Sequence, residues 1–199
     1  MPEYIAIGDI HGLDDLLAAL LTQLPDEGTL VFLGDYLDRG PNVKGVLDRL
    51  LALEQERRCV FLRGNHEAMA LRAWDGDGRA LRDWLFNGGT ATLASLGEPI
   101  APCYRDFLQR SRYYFATAAY IFVHGGLPPG MQPEEVTDPE LMLWMREPFL
   151  SSTEDRGRLV IHAHTPTHNH RPDVRTNRIN IDTGAIYGGP LTALLLPER

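Results

Sequence analysis

Hydrophobic positions in the first third of the chain alternate between two periods. Short apolar runs at Tyr4–Gly8, Thr29–Leu33 and Cys59–Leu62 have the length and composition of strands. Apolar residues with helical spacing lie between them, namely Leu13, Leu16, Leu17, Leu20, Leu21 and Leu24, then Val43, Val46, Leu47, Leu50 and Leu51. A further helix is expected from about Glu67. Strands and helices that alternate in this way predict a βαβαβ unit with parallel strands.

The remainder of the chain divides into a helical middle and a strand-rich end. The middle, from Met69 to Ser111, carries no motif to which chemistry can be assigned, and Gly88–Gly89 interrupts its helical pattern. The strands predicted after it are Tyr120–Val123, Leu159–His162, Val174–Asp182 around a turn at Thr176–Asn177, and Thr192–Leu196. This pattern predicts an α/β fold in which one sandwich is covered by helices, formed as a single domain over residues 1–199.

Composition and charge narrow the classes of function. With 199 residues, 44% hydrophobic and 23% charged, the chain has the profile of a soluble globular domain. No apolar run reaches the roughly 18 residues that span a bilayer, and no signal-peptide pattern opens the chain, so we expect a cytoplasmic protein with no membrane partner. A net charge of −8 disfavours extended nucleic-acid binding. Bound metals and a few placed arginines can still bind phosphate on an acidic protein.

Polar motifs follow the apolar strands at the points where they end. The motifs, in chain order, are Gly8-Asp9-Ile10-His11-Gly12, Gly34-Asp35-Tyr36-Leu37-Asp38-Arg39-Gly40, Arg63-Gly64-Asn65-His66-Glu67, His124-Gly125-Gly126 and His162-Ala163-His164. In open α/β sheets, ligands bind beyond the carboxyl ends of the strands. We therefore expect these motifs to converge on one site although they are far apart in sequence.

The residue types in these motifs are those of a metal site. The candidate ligands are Asp9, His11, Asp35, Asn65, His124 and His164. Asp9 and His11 are two residues apart on an extended segment and can face one cation, whereas the two oxygens of Asp35 can bridge two. Carboxylate, amide and imidazole together suit Mn, Fe or Zn better than Ca or Mg. Two cations about 3.5–4 Å apart would activate a bridging water for in-line displacement at phosphorus.

Three arginines and one histidine complete the candidate chemistry. Arg39 and Arg63 offer forked donors for phosphate oxygens. Arg146 is a third candidate, although an arginine beside a glutamate on a short helix is also a common surface ion pair. His66 is placed to protonate a leaving group, with Asp38 orienting its imidazole.

Together these motifs resemble the signatures of the PPP-type serine/threonine protein phosphatases, within the calcineurin-like metallophosphoesterases. The three early motifs match in order, His124 and Ala163-His164 look like the two remaining histidine ligands, and the resemblance runs from about residue 4 to 196. It implies two packed mixed sheets flanked by helices and direct attack by a metal-bridging hydroxide.

The resemblance also implies roles for individual residues. The first of two divalent ions, expected to be Mn with Fe or Zn as alternatives, would be held by Asp9, His11 and Asp35. The second would be held by Asp35, Asn65, His124 and His164. Arg39, Arg63, Asn65 and Arg146 would contact the substrate, and His66 with Asp38 would act as the general acid pair.

Substrate choice is open between several classes. The segment Asn180–Gly189 differs from the corresponding loop of the eukaryotic phosphatases and looks like that of bacterial members. Phosphoserine or phosphothreonine in proteins, with phosphotyrosine as an extension, is the leading expectation. Hydrolysis of dinucleoside polyphosphates such as diadenosine tetraphosphate is the alternative. Enzymes of that kind typically have Asp at the position of Glu67 and usually lack a counterpart of Asp38, so these two residues disfavour it. A nuclease or a non-catalytic scaffold fits less well, and the oligomeric state is not indicated.

Overall fold

Two β-sheets and a set of helices make up residues 2–197, which the computed structural model describes. The strands are β1 (Pro2–Ile7), β2 (Thr29–Phe32), β3 (Cys59–Phe61), β4 (Tyr114–Ala116), β5 (Tyr120–Val123), β6 (Leu159–His162), β7 (Asp173–Val174), β8 (Arg178–Asn180) and β9 (Ala193–Pro197). The α-helices are α1 (Asp14–Leu21), α2 (Val43–Glu56), α3 (Asn65–Trp74), α4 (Gly78–Trp84), α5 (Thr90–Leu96), α6 (Pro102–Arg110) and α7 (Leu141–Trp144). A π-helical turn, Leu85–Gly89, joins α4 to α5.

Both sheets are mixed, with parallel strands at the centre and at least one antiparallel edge strand. The first has the order β3-β2-β1-β9, in which β1, β2 and β3 are parallel and β9 is antiparallel. The second has the order β4-β5-β6-β8-β7, in which β5, β6 and β8 are parallel and the outer strands β4 and β7 are antiparallel. The expected fold class, two mixed sheets flanked by helices, is confirmed.

Alternating side chains in the strands separate the layers of the core. In β1, Ile5 and Ile7 pack with the helices, whereas Ala6 faces the second sheet. In β5, Phe122 belongs to the layer between the sheets and Ile121 to the outer layer under α7. Because successive side chains of a strand point to opposite faces, an apolar run can bury both faces of a central strand.

The expected elements differ from the observed ones at a few boundaries. The strands at 120–123 and 159–162 are confirmed, and the 174–182 segment forms the hairpin of β7 and β8. The middle is helical, as α3 to α6. α3 begins at Asn65 rather than near Glu67, so Asn65 and His66 lie in its first turn. None of the helices within residues 2–197 combines the length and apolar content needed to cross a bilayer.

Candidate active site

The motifs at the strand ends converge on one cavity of about 80 Å³. Its lining residues are Asp9, His11, Asp35, Arg39, Asn65, His66, Asn87, Trp144, Arg146, His164, Pro166, Asp182, Ala185, Ile186 and Tyr187. They come from the ends of both sheets, as expected for ligands bound beyond the carboxyl ends of parallel strands. The cavity therefore brings together most of the residues predicted from the sequence.

Backbone strain is concentrated around this cavity. Six non-glycine residues within residues 2–197 have a positive φ, and five of them belong to the predicted site: His11 (46°), Asp35 (52°), Asp38 (69°), Arg39 (67°) and His164 (68°). This region of φ is unfavourable for L-residues and is retained mainly where the surroundings enforce it, often at functional sites. The strain supports the view that this cavity is where the protein acts.

Two buried histidines, His11 and His124, each have their Nε2 atom close to Asp35. His11 Nδ1 donates to the carbonyl of Leu37 at 2.8 Å, and His124 Nδ1 donates to that of Leu33 at 2.9 Å. These carbonyls assign the tautomer, which leaves a lone pair on each Nε2. The two Nε2 atoms lie 3.5 and 3.4 Å from different oxygens of Asp35. Asp35 can thus be shared between two cations, one on each side.

His124, His164 and Asn65 form a second group of possible metal ligands, and the lone pairs of two of their atoms face one another. His124 Nε2 lies 3.0 Å from Asn65 Oδ1, and His164 Nδ1 is 3.0 Å from the same oxygen. With a lone pair on His124 Nε2, that nitrogen and the amide oxygen repel each other unless a cation lies between them. Potential ligand atoms of His11, Asp35 and His66 lie within 4.8 Å of one another, as do those of Asp35, His124 and His164.

Electrostatics also fit bound metal. Burial lowers the pKa of both His11 and His164 to about 3, so these imidazoles are neutral near pH 7, as metal binding requires. Burial, then the charges of Asp182 and Asp35, raise the pKa of Asp9 well above its usual range. Buried carboxylates are normally paired or bound to metal. This set of donors therefore matches divalent cations, which Asp9, His11, Asp35, Asn65, His124 and His164 would hold.

Asp9 lies slightly apart from these groups. Its Oδ1 is 3.4 Å from the backbone nitrogen of His164 and 3.9 Å from Nδ1 of His124. It lines the cavity but does not belong to either group of close ligand atoms. Its assignment to the first metal stays a prediction.

His66 and Asp38 form a buried pair. His66 Nδ1 donates to Asp38 Oδ2 at 2.6 Å, so its Nε2 faces the cavity. Although burial opposes it, the charge of Asp35 and the hydrogen bond with Asp38 raise the pKa of His66. The same carboxylate accepts hydrogen bonds from Trp84 Nε1 at 2.9 Å and from Thr92 Oγ1 at 2.6 Å. The helical middle thus fixes the orientation of Asp38.

Arg39 reaches into the cavity between two histidines. Its Nη1 is 2.8 Å from His11 Nε2, and its Nη2 is 2.9 Å from His66 Nε2. Its backbone nitrogen donates to the carbonyl of Gly88 in the π-helical turn at 3.3 Å. Gly88 has a φ of 105°, and a Cβ there would lie 2.8 Å from Arg39 Cγ, so this close approach requires glycine. Gly88–Gly89, which interrupts the helical pattern of the sequence, is thus the point where the helical middle of the chain contacts the site.

The structure does not bring Arg63 to the cavity. Its guanidinium donates to Ser111 Oγ at 3.1 Å, to Tyr113 Oη at 3.2 Å and to the carbonyl of Leu108 at 3.1 Å. These acceptors lie at and beyond the end of α6, where helix carbonyls lack partners and attract cations. Arg63 therefore anchors α6 and does not line the cavity, contrary to the expected contact with phosphate. Arg146, by contrast, is exposed and lines the cavity.

Glu67 shapes the site without facing it. Its carboxylate accepts hydrogen bonds from the backbone nitrogens of Gly64, Asp35 and Tyr36, each at 2.8 Å. Burial raises its pKa to about 7. Glu67 therefore holds the Asp35 loop against the start of α3. The Asp that dinucleotide hydrolases typically have at this position would change the geometry of the loop and not a contact with substrate.

Three residues that the sequence motifs do not include also contribute to the site. Trp84 and Thr92 donate hydrogen bonds to Asp38, and Asp182 lines the cavity. The sequence signal available for Asp182 was its position in the segment Asn180–Gly189, which departs from the eukaryotic pattern. The structure places Asp182, Ala185, Ile186 and Tyr187 of that segment in the lining of the cavity.

Comparison with known families places the chain in one of them. The profile of the calcineurin-like phosphoesterases matches residues 3–188. The chain belongs to the calcineurin-like phosphoesterase family. Members of this family are hydrolases that use a dinuclear metal centre, and the donor groups around Asp35 agree with such a centre.

Relatives within the calcineurin-like phosphoesterases have two kinds of substrate in their names. The chain is 33% identical to serine/threonine-protein phosphatase 1 of Salmonella typhimurium, covering 94% of this chain and 88% of that protein. It is 28% identical to the asymmetrical bis(5'-nucleosyl)-tetraphosphatase PrpE of Bacillus velezensis, covering 98% and 90%. A solved cold-active protein tyrosine phosphatase shares the fold, with a TM-score of 0.74 and 19% identity over 99% of this chain and 74% of that one.

Proposed function

We propose that this calcineurin-like phosphoesterase is a phosphomonoesterase that removes phosphate from phosphoserine and phosphothreonine in proteins, with Mn²⁺ as its metal. The observation that carries the proposal is the buried His66–Asp38 pair, whose Nδ1–Oδ2 distance is 2.6 Å. A serine or threonine alkoxide is a poor leaving group and needs a proton as the P–O bond breaks. A nucleotide polyphosphate leaves without such help, so a well-positioned acid favours the phosphomonoester.

The chain's own residues would divide the chemistry between them. Divalent cations bound by the Asp35 groups would act as Lewis acids and activate a water molecule. Arg39 would bind two phosphoryl oxygens through its forked donors, and Arg146, which lines the same cavity, would add positive charge. When Arg39 turns from His66 to the phosphoryl oxygens, Nε2 of His66 would be free to carry a proton and transfer it to the leaving oxygen, and Asp38 would hold the imidazole in place throughout.

The lining of the cavity suggests where the phosphoryl group would bind. Arg39 and Arg146 both line it and would bind the phosphoryl oxygens there, whereas the rest of the substrate would lie outside on the rim. The rim would then contact the residues flanking the phosphorylated side chain. This arrangement suits a phosphorylated loop or tail of another protein.

Dinucleoside polyphosphate hydrolysis is the second candidate because of the aromatic groups at the rim. Tyr187 is 60% exposed, with the Arg39 guanidinium 6.0 Å from its ring centre, and Trp144 is 44% exposed. Exposed aromatic rings of this kind can stack on a nucleobase. The relative named bis(5'-nucleosyl)-tetraphosphatase, which matches nearly the whole chain, favours the same candidate.

The test is a comparison of kcat/KM for a phosphothreonine peptide and for diadenosine tetraphosphate. Both assays would use Mn²⁺, with a chelator control and a Tyr187→Ala variant. We expect the peptide to be preferred, and the variant to change its hydrolysis little. A preference for the dinucleotide, reduced by Tyr187→Ala, would reassign the protein to nucleotide hydrolysis.

A further inference from the structure

A carboxylate with no assigned role lies beside Asp9. The side chain of Asp182 is 4% exposed and lines the same cavity as Asp9 and Asp35. Its Oδ1 accepts a hydrogen bond from the backbone nitrogen of Gly184 at 3.0 Å. Its Oδ2 is buried and accepts no hydrogen bond from an N–H group within residues 2–197, and the carboxyl lies within hydrogen-bond reach of the carboxyl of Asp9. Two buried carboxylates in contact repel each other unless a cation or a shared proton lies between them.

The end of β8 is pressed against the end of β1, and this contact places Asp182 next to Asp9. A Cβ on Gly8 would lie 2.8 Å from the carbonyl oxygen of Ile181, so only glycine permits the approach. The residues that follow, Asp9 and Asp182, are thereby brought side by side at the cavity. Their proximity results from the backbone path and does not depend on a flexible side chain.

The loop around Asp182 holds its carboxylate in a fixed orientation. The backbone nitrogen of Asp182 donates to Asn180 Oδ1 at 2.9 Å, and its carbonyl accepts from the backbone nitrogen of Thr167 at 2.9 Å. His170 Nδ1 contacts the carbonyl of Thr183 at 2.9 Å. With Oδ1 engaged by Gly184, Oδ2 is the oxygen of Asp182 that remains to interact with a cation beside Asp9.

The local charge balance calls for cations. Asp9, Asp35, Glu67 and Asp182 are all at most 7% exposed. Arg39 is the one arginine of the predicted set that contacts the histidines among these acids.

We propose that Asp182 is a further acidic residue of the metal centre, which raises its affinity for the divalent cation on the Asp9 side. This inference rests on the two-metal chemistry of the proposed function but not on the identity of its substrate. Asp182 belongs to the segment that departs from the eukaryotic pattern, so the same cation site would here have an additional carboxylate. A partner that orients metal ligands or their waters typically contributes about 10–100-fold to metal affinity.

The test is Mn²⁺ binding measured by calorimetry on metal-free protein, for the wild type, Asp182→Asn and the matched control Glu56→Gln. Glu56 is exposed at the far end of α2, and its substitution removes the same charge. We expect two bound ions in all three proteins, with one dissociation constant raised about 10–100-fold in Asp182→Asn only. Unchanged dissociation constants in Asp182→Asn would overturn the proposal.

Thermal unfolding separates this role from a purely structural one. Without metal, Asp182→Asn should melt no lower than the wild type, because it loses a repulsive charge and its amide oxygen can still accept from Gly184. With saturating Mn²⁺ it should gain less in Tm than the wild type. An equal drop in Tm with and without metal would mean that Asp182 only braces its loop. If wild-type protein binds two ions but does not cleave the phosphopeptide, the proposed substrate fails and this inference stands.

Discussion

The floor and the rim of the cavity are built in different ways. The floor consists of residues at strand ends, such as Asp35, His124 and Asn65, which are at most 2% exposed. The rim comes from the π-helical turn, α7 and the segment after β8, and there Trp144 and Tyr187 are 44% and 60% exposed. Rigid, buried donors suit metal binding and proton transfer, whereas exposed side chains on connecting segments suit the choice of substrate.

This contrast explains why one family can include enzymes named for different substrates. The calcineurin-like relatives of this chain include both a protein phosphatase and a dinucleotide hydrolase. A shared floor provides the phosphoryl chemistry, and differences at the rim can redirect it. The substitutions below test whether floor and rim act separately, in order of decreasing expected effect.

The largest effect is expected at the floor, with His66→Asn. Turnover of a phosphothreonine peptide should fall about 10²–10⁴-fold, because asparagine can contact Asp38 but cannot supply the proton. Hydrolysis of an aryl phosphate with a good leaving group should fall much less. Turnover would be measured across a series of leaving groups, with Mn²⁺ content determined in parallel. Equal slowing of all substrates at full metal content would argue against a general acid.

A smaller effect is expected from the arginine that contacts the floor. Arg39→Lys should lower kcat/KM about 10–100-fold, since lysine loses the forked, charge-assisted donors. The matched control is Arg63→Lys, which should leave kcat/KM nearly unchanged but lower Tm, because Arg63 bonds to the end of α6. Steady-state kinetics and thermal unfolding measure both. A comparable loss of kcat/KM in the two variants would show that Arg63 also serves the site.

The smallest effect is expected where the helical middle supports the floor. Trp84→Phe removes the indole donor to Asp38 and should slow phosphopeptide turnover roughly tenfold, with a smaller change for aryl phosphates. Trp74→Phe is the matched control, because Trp74 Nε1 has no hydrogen-bond partner within residues 2–197. The ratio of the two substrates' turnover is the measured quantity. Identical ratios in both variants would indicate that the indole only fills space.

The sequence by itself determined the fold class, the family and most of the floor. Alternating strand and helix periods predicted the parallel strands, and the motifs at their ends contain Asp35, His124 and His164, whose ligand atoms lie close together. These predictions are possible because parallel strands place their carboxyl ends together whatever the details of packing. Local patterns therefore suffice for residues that are attached directly to strand ends.

Only the tertiary structure decided the neighbours that come from distant segments. Arg63 lies within a site motif, yet its long side chain turns to the free acceptors at the end of α6. Trp84 and Asp182 carry no motif of their own, and their roles depend on Asp38 and Asp9, which packing brings beside them. The direction of a long side chain and the partner of a buried polar atom are set by whichever groups the fold brings within hydrogen-bond distance, and a local pattern in the sequence does not contain that information.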